Sequence, residues 1–471
     1  MRVPLVGHRC QTRRVSTPIN GHVSHWFTEI PEPRDPLPGD RDADVCIVGA
    51  GYTGLWTAFY LKRADPSLRI TVLEARFAGF GASGRNGGWL SGLAPGHRTL
   101  LAKKHGRPAV VRWQRALNGA VDEVIDVAAR EGIEAGIVKG GSLRIARNEP
   151  QAQRLRAEVD ESHEWGVPEV RLLPNSEVNQ RIRIDDLHLA AFSPHCGRIQ
   201  PAQLVRGLAD VVERLGVTIY EQTPVTQISA GRAVTARGTV RAPTVLRATE
   251  GFTTTLPGLK RRWLPMNSAM IATEPLPADV WESIGWEGRE TLGDTAHGFF
   301  YAQRTADDRI AIGGRAVPYR YASGIDRDGA VGQYTITSLR EVLNTLLPQT
   351  RGIGIAHGWC GVLAVPRDWS AGVELDRATG LGWAGGYVGH GVTATNLAGQ
   401  TLADLVLRRD TALVRMPWVG HRSKTWEPEP LRWLGVRGMY QAYRAADRHE
   451  SGARAKTSPI AVVADAIARR P

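Results

Sequence analysis

The chain has 471 residues, of which 42% are hydrophobic, 23% charged and 7% aromatic, and its formal net charge is +12. Those values exclude a collagen, a disulfide scaffold and a disordered tail, and the length suggests about two or three domains. No window reaches the roughly 18 consecutive apolar residues of a membrane helix. Cys10, Cys46, Cys196 and Cys360 form no CxxC pair, which fits a reducing, cytoplasmic setting without structural metal. The positive charge is spread along the chain. Its one clear run, Lys260-Arg261-Arg262, has no aromatic stripe beside it and reads as solvated surface, so no nucleic-acid partner is expected.

Residues 1–40 carry arginines and prolines but no apolar signal region, and read as an extended, partly disordered arm. Asp44 to Val48 is a β-branched run typical of a buried parallel strand. It enters Gly49-Ala50-Gly51-Tyr52-Thr53-Gly54, then a helix over 55–63 with basic residues in its last turn, then a strand over 69–74. Strand, glycine turn, helix and strand make a βαβ unit. A long helical and irregular region over about 98–195 is broken by a strand at 141–145. A helix is expected from Pro201 to Leu215, with strands at 217–220 and 244–249 joining the first sheet. From about 257 to 354 the pattern turns to alternating strands such as Arg309 to Ile312, which suggests a second, more antiparallel domain. Residues 381–387 lead through Gly389-His390-Gly391 into a helix over about 393–408. After 410 the chain breaks at Trp426 to Pro430 and then offers an amphipathic helix over about 434–447.

A bare GxGxxG carries little weight. With 52 glycines, about 0.6 matches arise by chance, and Gly79 to Gly84 is a second one. Context separates the two. The first follows a strand, opens a helix, and is followed 20 residues after Gly54 by Glu74 at a strand end. There the glycines admit a pyrophosphate, the helix N-terminus supplies N–H donors, and the carboxylate accepts from ribose hydroxyls. Dinucleotide binding follows. The loop Gly81-Ala82-Ser83-Gly84-Arg85-Asn86-Gly87-Gly88 can close on the pyrophosphate from the far side and approach a flat ring.

These segments, Asp44 to Gly54, Val72-Leu73-Glu74-Ala75 and Gly79 to Trp89, resemble the FAD-dependent oxidoreductases of the D-amino-acid oxidase superfamily. The branch with glycine and sarcosine oxidases and γ-glutamylputrescine oxidase is most similar. The resemblance continues through Gly197 to Pro201, Tyr301 to Thr305, Ile312 to Arg315 and Tyr387 to Gly391, over about residues 25–450. It implies an α/β protein: a Rossmann-type FAD-binding domain assembled from 41–97, 197–256 and 355–409, and an α+β substrate domain with a mostly antiparallel sheet from 98–196 and 257–354. An N-terminal arm (1–40) and a C-terminal helical extension (410–471) flank them. By position, Gly49, Gly51, Tyr52, Thr53 and Gly54 are expected at the pyrophosphate and Glu74 and Ala75 at the adenosine ribose. Ser83, Arg85, Asn86, Gly87 and Gly88 are expected along the pyrophosphate and isoalloxazine, and Val225 at adenine. Gly389, His390, Gly391, Val392 and Thr393 are expected at the pyrimidine side. Leu90 stands where relatives often have Cys, and Cys360 lies outside any flavin-attachment motif, so noncovalent FAD is expected.

The implied reaction is oxidation of a C–N bond of an amine or amino acid, with hydride passing to flavin N5 and an imine left to hydrolyse. Tyr301, Tyr319 and Trp359 are candidate aromatic walls, and each could equally be core packing. Arg315, delivered by a strand beside a glycine pair, is the expected anion anchor. His390 could stabilise reduced flavin, together with the backbone of its turn. Close relatives carry a lysine two residues before the equivalent of Gly313, where this chain has Ala311, so oxygen is expected to react slowly and a quinone or carrier to be the better acceptor. Other readings stay open: a flavoprotein in tRNA modification, a hydroxy-acid oxidising flavoenzyme, or a flavin-holding protein without turnover.

Overall fold

The computed structural model describes residues 18–314, 319–325, 328–451 and 456–468. One six-stranded sheet runs in the order 218–220, 70–73, 45–48, 244–247, 381–385 and 372–376. Its first five strands are parallel and the last is antiparallel. All four residues of Val45–Val48 are buried, because both faces of this sheet are covered; hence the unbroken apolar run without alternation. Ile47, Leu246 and Ala384 face the helical side, where Tyr52–Ala64, Pro201–Arg214 and Gly391–Val406 pack. Cys46, Val48 and Val245 face a small layer of strands formed by 225–229, 232–235 and 238–241, with Arg41–Asp42 at its edge.

The second sheet has nine strands in the order 19–20, 355–365, 264–273, 310–314, 300–304, 291–294, 142–146, 189–193 and 171–173. Its pairings are antiparallel, except those of 19–20 with 355–365 and of 291–294 with 142–146. One face carries Leu143, Ile145, Leu292, Ile271 and Ile312 into a core shared with the helix Gln333–Leu346. Its other face turns toward the first sheet.

Two expectations change. The strand Ile355–Val365, grouped by sequence with the cofactor segments, pairs along its length with Leu264–Thr273 and belongs to the nine-stranded sheet. Its apolar alternation carries no signal of which sheet edge it joins. The described part of the N-terminal arm is not loose. Ile19–Asn20 extends the large sheet, Trp26 is 4% exposed, and Leu37 is fully buried. Three aromatic residues at 25–27 supply enough apolar area to hold that segment down. No helix of the described residues is long and apolar enough to cross a membrane.

Candidate functional site

The strand Val45–Val48 ends in Gly49, whose φ of +110° and close approach to the Ala248 carbonyl (2.5 Å from where a Cβ would lie) require glycine. The turn delivers Gly51, Tyr52 and Thr53 to the wall of a large cavity, with the helix Tyr52–Ala64 starting there. Gly54 faces inward against the Gly49 carbonyl and does not line it. Glu74 ends the next strand and accepts from the Ala50 N–H at 2.9 Å and the Arg76 N–H at 3.0 Å. Packing around it pushes its carboxyl up to about 7, against the pull of those donors. Ala75, Pro224 and Val225 line the cavity beyond it.

Ser83, Arg85, Asn86 and Gly87 line the next stretch. The Tyr52 N–H donates to Ser83 Oγ at 2.9 Å, joining the two glycine loops. Arg85 is buried, with Nε donating to the Phe80 carbonyl at 2.8 Å and its guanidinium 4.4 Å from the Phe80 ring. Asn86 folds back on its own loop, giving Nδ2 to the Ser83 carbonyl and taking the Gly88 N–H on Oδ1, both at 2.8 Å. These two side chains therefore shape the loop, and its backbone is what the cavity meets. Gly88 is buried behind it. The N-terminal segment props the loop from below: Ser24 Oγ donates to the Gly84 carbonyl at 2.6 Å and Trp26 Nε1 to the Asn86 carbonyl at 2.8 Å. Trp359, expected as a wall, is fully buried in the same support and donates Nε1 to the Arg85 carbonyl at 3.0 Å. It does not line the cavity. Its apolar surroundings, Trp26, Met270 and Ala311, make it core.

Gly389, His390, Gly391 and Val392 line the cavity at the start of the helix Gly391–Val406, while Thr393 sits buried behind them. Burial lowers the His390 pKa to about 4, helped by the charges of Arg144 and Arg98, so the ring is neutral at physiological pH. Glu250, which sequence reasoning passed over, holds this turn. It accepts from the N–H groups of Gly386 at 2.9 Å and of Tyr387 and Ala364 at 3.3 Å, and burial pushes it up to about 7. Its position one residue past the strand-end pair Ala248-Thr249 was the available signal.

At the sheet side, Arg144, Gly293, Tyr301 and Gly313 occupy one register row across four strands, so their side chains share a face. The glycines leave room on it. Arg144 reaches over Gly293 beside the Trp89 ring, and the Tyr301 ring lies over Gly313. Tyr301 and Trp89 meet edge to face at 6.4 Å, and the Tyr301 hydroxyl is 2.9 Å from Ser268 Oγ. Arg144 and Trp89 were not expected here; only the strand at 141–145 was. Tyr319 stands away from the cavity wall, its hydroxyl bonded to Glu429. Arg315 lies outside the described residues. The helix Leu431–Glu450 roofs the opening with Val436, Met439, Tyr440 and Arg444.

The cavity these segments enclose measures about 1130 Å³. It joins a pyrophosphate-type turn with a ribose-type carboxylate to an aromatic, cationic far end, and so fits an FAD lying lengthwise with a substrate beyond it. None of the three described cysteines lines it.

Comparison with known proteins agrees. The family described as FAD dependent oxidoreductase (DAO) matches residues 44–405. The gamma-glutamylputrescine oxidoreductase of Escherichia coli (strain K12) is 31% identical over 395 residues, covering 82% of this chain and 89% of that protein. The glycine oxidase of Geobacillus kaustophilus (strain HTA426) is 25% identical over 386 residues, covering 80% and 96%. In fold, the crystal structure of glycine oxidase from Geobacillus kaustophilus is similar at a TM-score of 0.66 and 23% identity, over 82% of this chain and 100% of that one.

Proposed function

This chain belongs to the DAO family of FAD-dependent oxidoreductases, and from that premise we propose that it oxidises the C–N bond of an amine or amino acid. The relatives named for glycine and γ-glutamylputrescine support this substrate class. The observation that carries the reading is the aromatic and cationic end of the cavity, where Arg144, Trp89, Tyr301 and neutral His390 surround one space.

FAD, held by the two glycine loops and the Gly389 to Val392 turn, would supply the two-electron acceptor for hydride from the carbon next to nitrogen. The substrate nitrogen loses a proton as the C=N bond forms, and water then hydrolyses the imine. The residues of the chain prepare the amine for that step. A free alkylamine resembles lysine, with a pKa near ~10.4. The Trp89 and Tyr301 rings disfavour the ammonium form by desolvation, and Arg144, whose charge is partly offset by Glu158 at 3.2 Å, adds a smaller repulsion. The cavity's lining carboxylates are Glu74, Glu250 and Glu427, each engaged elsewhere: Glu74 and Glu250 hold backbone N–H groups and Glu427 holds Arg367, while Glu158, behind the lining, accepts from Arg144 Nη2 at 3.2 Å. His390, unprotonated, is able to accept an N–H. Arg144, through the N–H groups that Glu158 leaves open, is suited to bind a substrate carboxylate, the role expected of Arg315.

The same reading assigns the remaining cofactor contacts. Gly49, Gly51, Tyr52 and Thr53 meet the pyrophosphate, Glu74 and Ala75 the ribose, Val225 the adenine, Ser83 to Gly87 the pyrophosphate and ring, and Gly389 to Val392 the pyrimidine edge. Gly54, Gly88 and Thr393 act from behind by packing. The FAD is noncovalent and the setting cytoplasmic, a reading supported by the burial of the three described cysteines away from the cavity. Anaerobic mixing with a panel of amines and amino acids tests the proposal. Bleaching of the flavin band near ~450 nm by at least one of them, with a carbonyl product, is expected. Bleaching by hydroxy acids alone would contradict it.

A further inference from the structure

A second crevice, of about 380 Å³, lies on the sheet face opposite the helices, where the small layer of strands stops short of the edge. Arg247 and Trp383 are register partners on adjacent parallel strands and share that face. We propose that this crevice binds a small organic phosphate.

Three guanidinium groups converge there. Arg247 lies 4.9 Å from the centre of the Trp263 ring and 5.6 Å from that of Trp383, and Arg262 lies 5.1 Å from Trp383. Arg422 lines the same crevice. A single carboxylate is bonded among them, Glu374, which accepts from Arg422 Nε at 2.7 Å and from Trp383 Nε1 at 3.1 Å. Arg247 is 8% exposed, yet among the described residues it pairs with no carboxylate and donates one hydrogen bond, to Thr253 Oγ1 at 2.6 Å. Arg262 likewise pairs with no carboxylate among the described residues and reaches the Ser423 carbonyl at 3.3 Å. A buried guanidinium without a bonded carboxylate is costly, and stacking two of them on one indole adds repulsion. The direction of the Arg247 pKa agrees: burial and the Arg262 charge lower it to about 9, against the weaker opposite pull of Glu250.

An anion supplied from solvent would offset that cost. Two guanidinium groups with no bonded carboxylate, beside Arg422, favour a dianion, which a phosphate monoester provides and a lone carboxylate does not. The remaining walls are apolar, from Ile228, Leu256, Pro257, Leu259 and Leu381, and the volume exceeds what a bare anion fills. The ligand therefore carries an organic group. Neither glycine loop of the cofactor cavity contributes to this crevice.

The test is thermal denaturation of the FAD-saturated protein titrated with phenyl phosphate and with inorganic phosphate, ionic strength being held constant with chloride. A saturable rise in Tm is expected with phenyl phosphate and a weaker one with phosphate. In Arg262→Gln the apparent Kd should rise at least about tenfold, the loss expected for a charged hydrogen-bonding partner. Arg247→Gln should lose more. Should that buried variant fail to fold, Arg262→Gln at the rim decides the question. Arg144→Gln, in the cofactor cavity, should leave the shift as in the wild type. No saturable shift, an equal shift in Arg262→Gln, or its loss in Arg144→Gln would overturn the proposal. Equal affinity for both anions would overturn its organic part and leave free phosphate as the ligand.

Discussion

Glu74 combines two pressures at one carboxylate. Burial raises its pKa to about 7, while the ribose hydroxyls assigned to it donate best to the ionised form. FAD binding and deprotonation of Glu74 are therefore linked. FAD affinity should fall by up to about tenfold per pH unit below pH 7 and level off above it. Titration of apoprotein with FAD across that range checks this, and Glu74→Gln should flatten the profile. At high pH the same variant should weaken FAD by about 1.5–3 kcal/mol, the worth of a hydrogen bond to a charged group. His390 behaves in the opposite sense. Its pKa is lowered to about 4, so it stays neutral, and its contribution to stability is intact above an unfolded value near 6.5 and is lost as pH falls toward 4. The pH profile of anaerobic flavin bleaching should accordingly show no His390 ionisation between about pH 6 and 9, and His390→Gln should keep the wild-type profile there.

Among elements, the two chain ends matter more than their sequences suggested. Trp26 and Ser24 hold the second glycine loop from below. Trp26→Ala should cost about 3–5 kcal/mol as a cavity in a packed site and loosen FAD as well. Melting temperature and FAD dissociation read the two effects. The roofing helix Leu431–Glu450 is latched at its far end. Glu450 is 1% exposed and pairs with Arg154 Nη2 at 2.8 Å and His297 Nε2 at 2.9 Å, while Asp447 takes the His297 and Gly298 N–H groups. Removing Glu450 strands a partly buried arginine. Glu450→Ala should lose about 3 kcal/mol of stability by denaturant titration. The helix itself was legible from apolar periodicity over 434–447. What it covers was not, since an amphipathic stripe shows that a face is buried without showing against what. Trp359 illustrates the same limit, because an indole on a strand reads alike whether it lines a pocket or supports a loop.

At the scale of the whole molecule, local signals and long-range pairing divide what the sequence made visible. The βαβ turn, Glu74 and the loop at Ser83 to Gly87 were legible, because phosphate and ribose binding place fixed chemistry at short spacings. The row Arg144, Gly293, Tyr301 and Gly313 was not, because it is assembled from strands far apart in sequence and exists only in the pairing register. Register also bears on the electron acceptor. Ala311 is fully buried and covered by Trp26 and Trp359, so no cation stands at that position. A fixed charge near a developing superoxide is worth several kcal/mol in a low-dielectric site. Reduced enzyme should therefore reoxidise slowly in air-saturated buffer and faster with a quinone, which stopped-flow mixing would show.

The central claim is that a C–H bond next to nitrogen breaks as the flavin is reduced. The direct measurement is a single anaerobic turnover with the substrate from the panel, deuterated at that carbon. The account predicts slower bleaching of the flavin than with the protiated substrate, and a product that has lost one deuterium from that carbon. Bleaching at an unchanged rate, with every deuterium retained in the product, would contradict it.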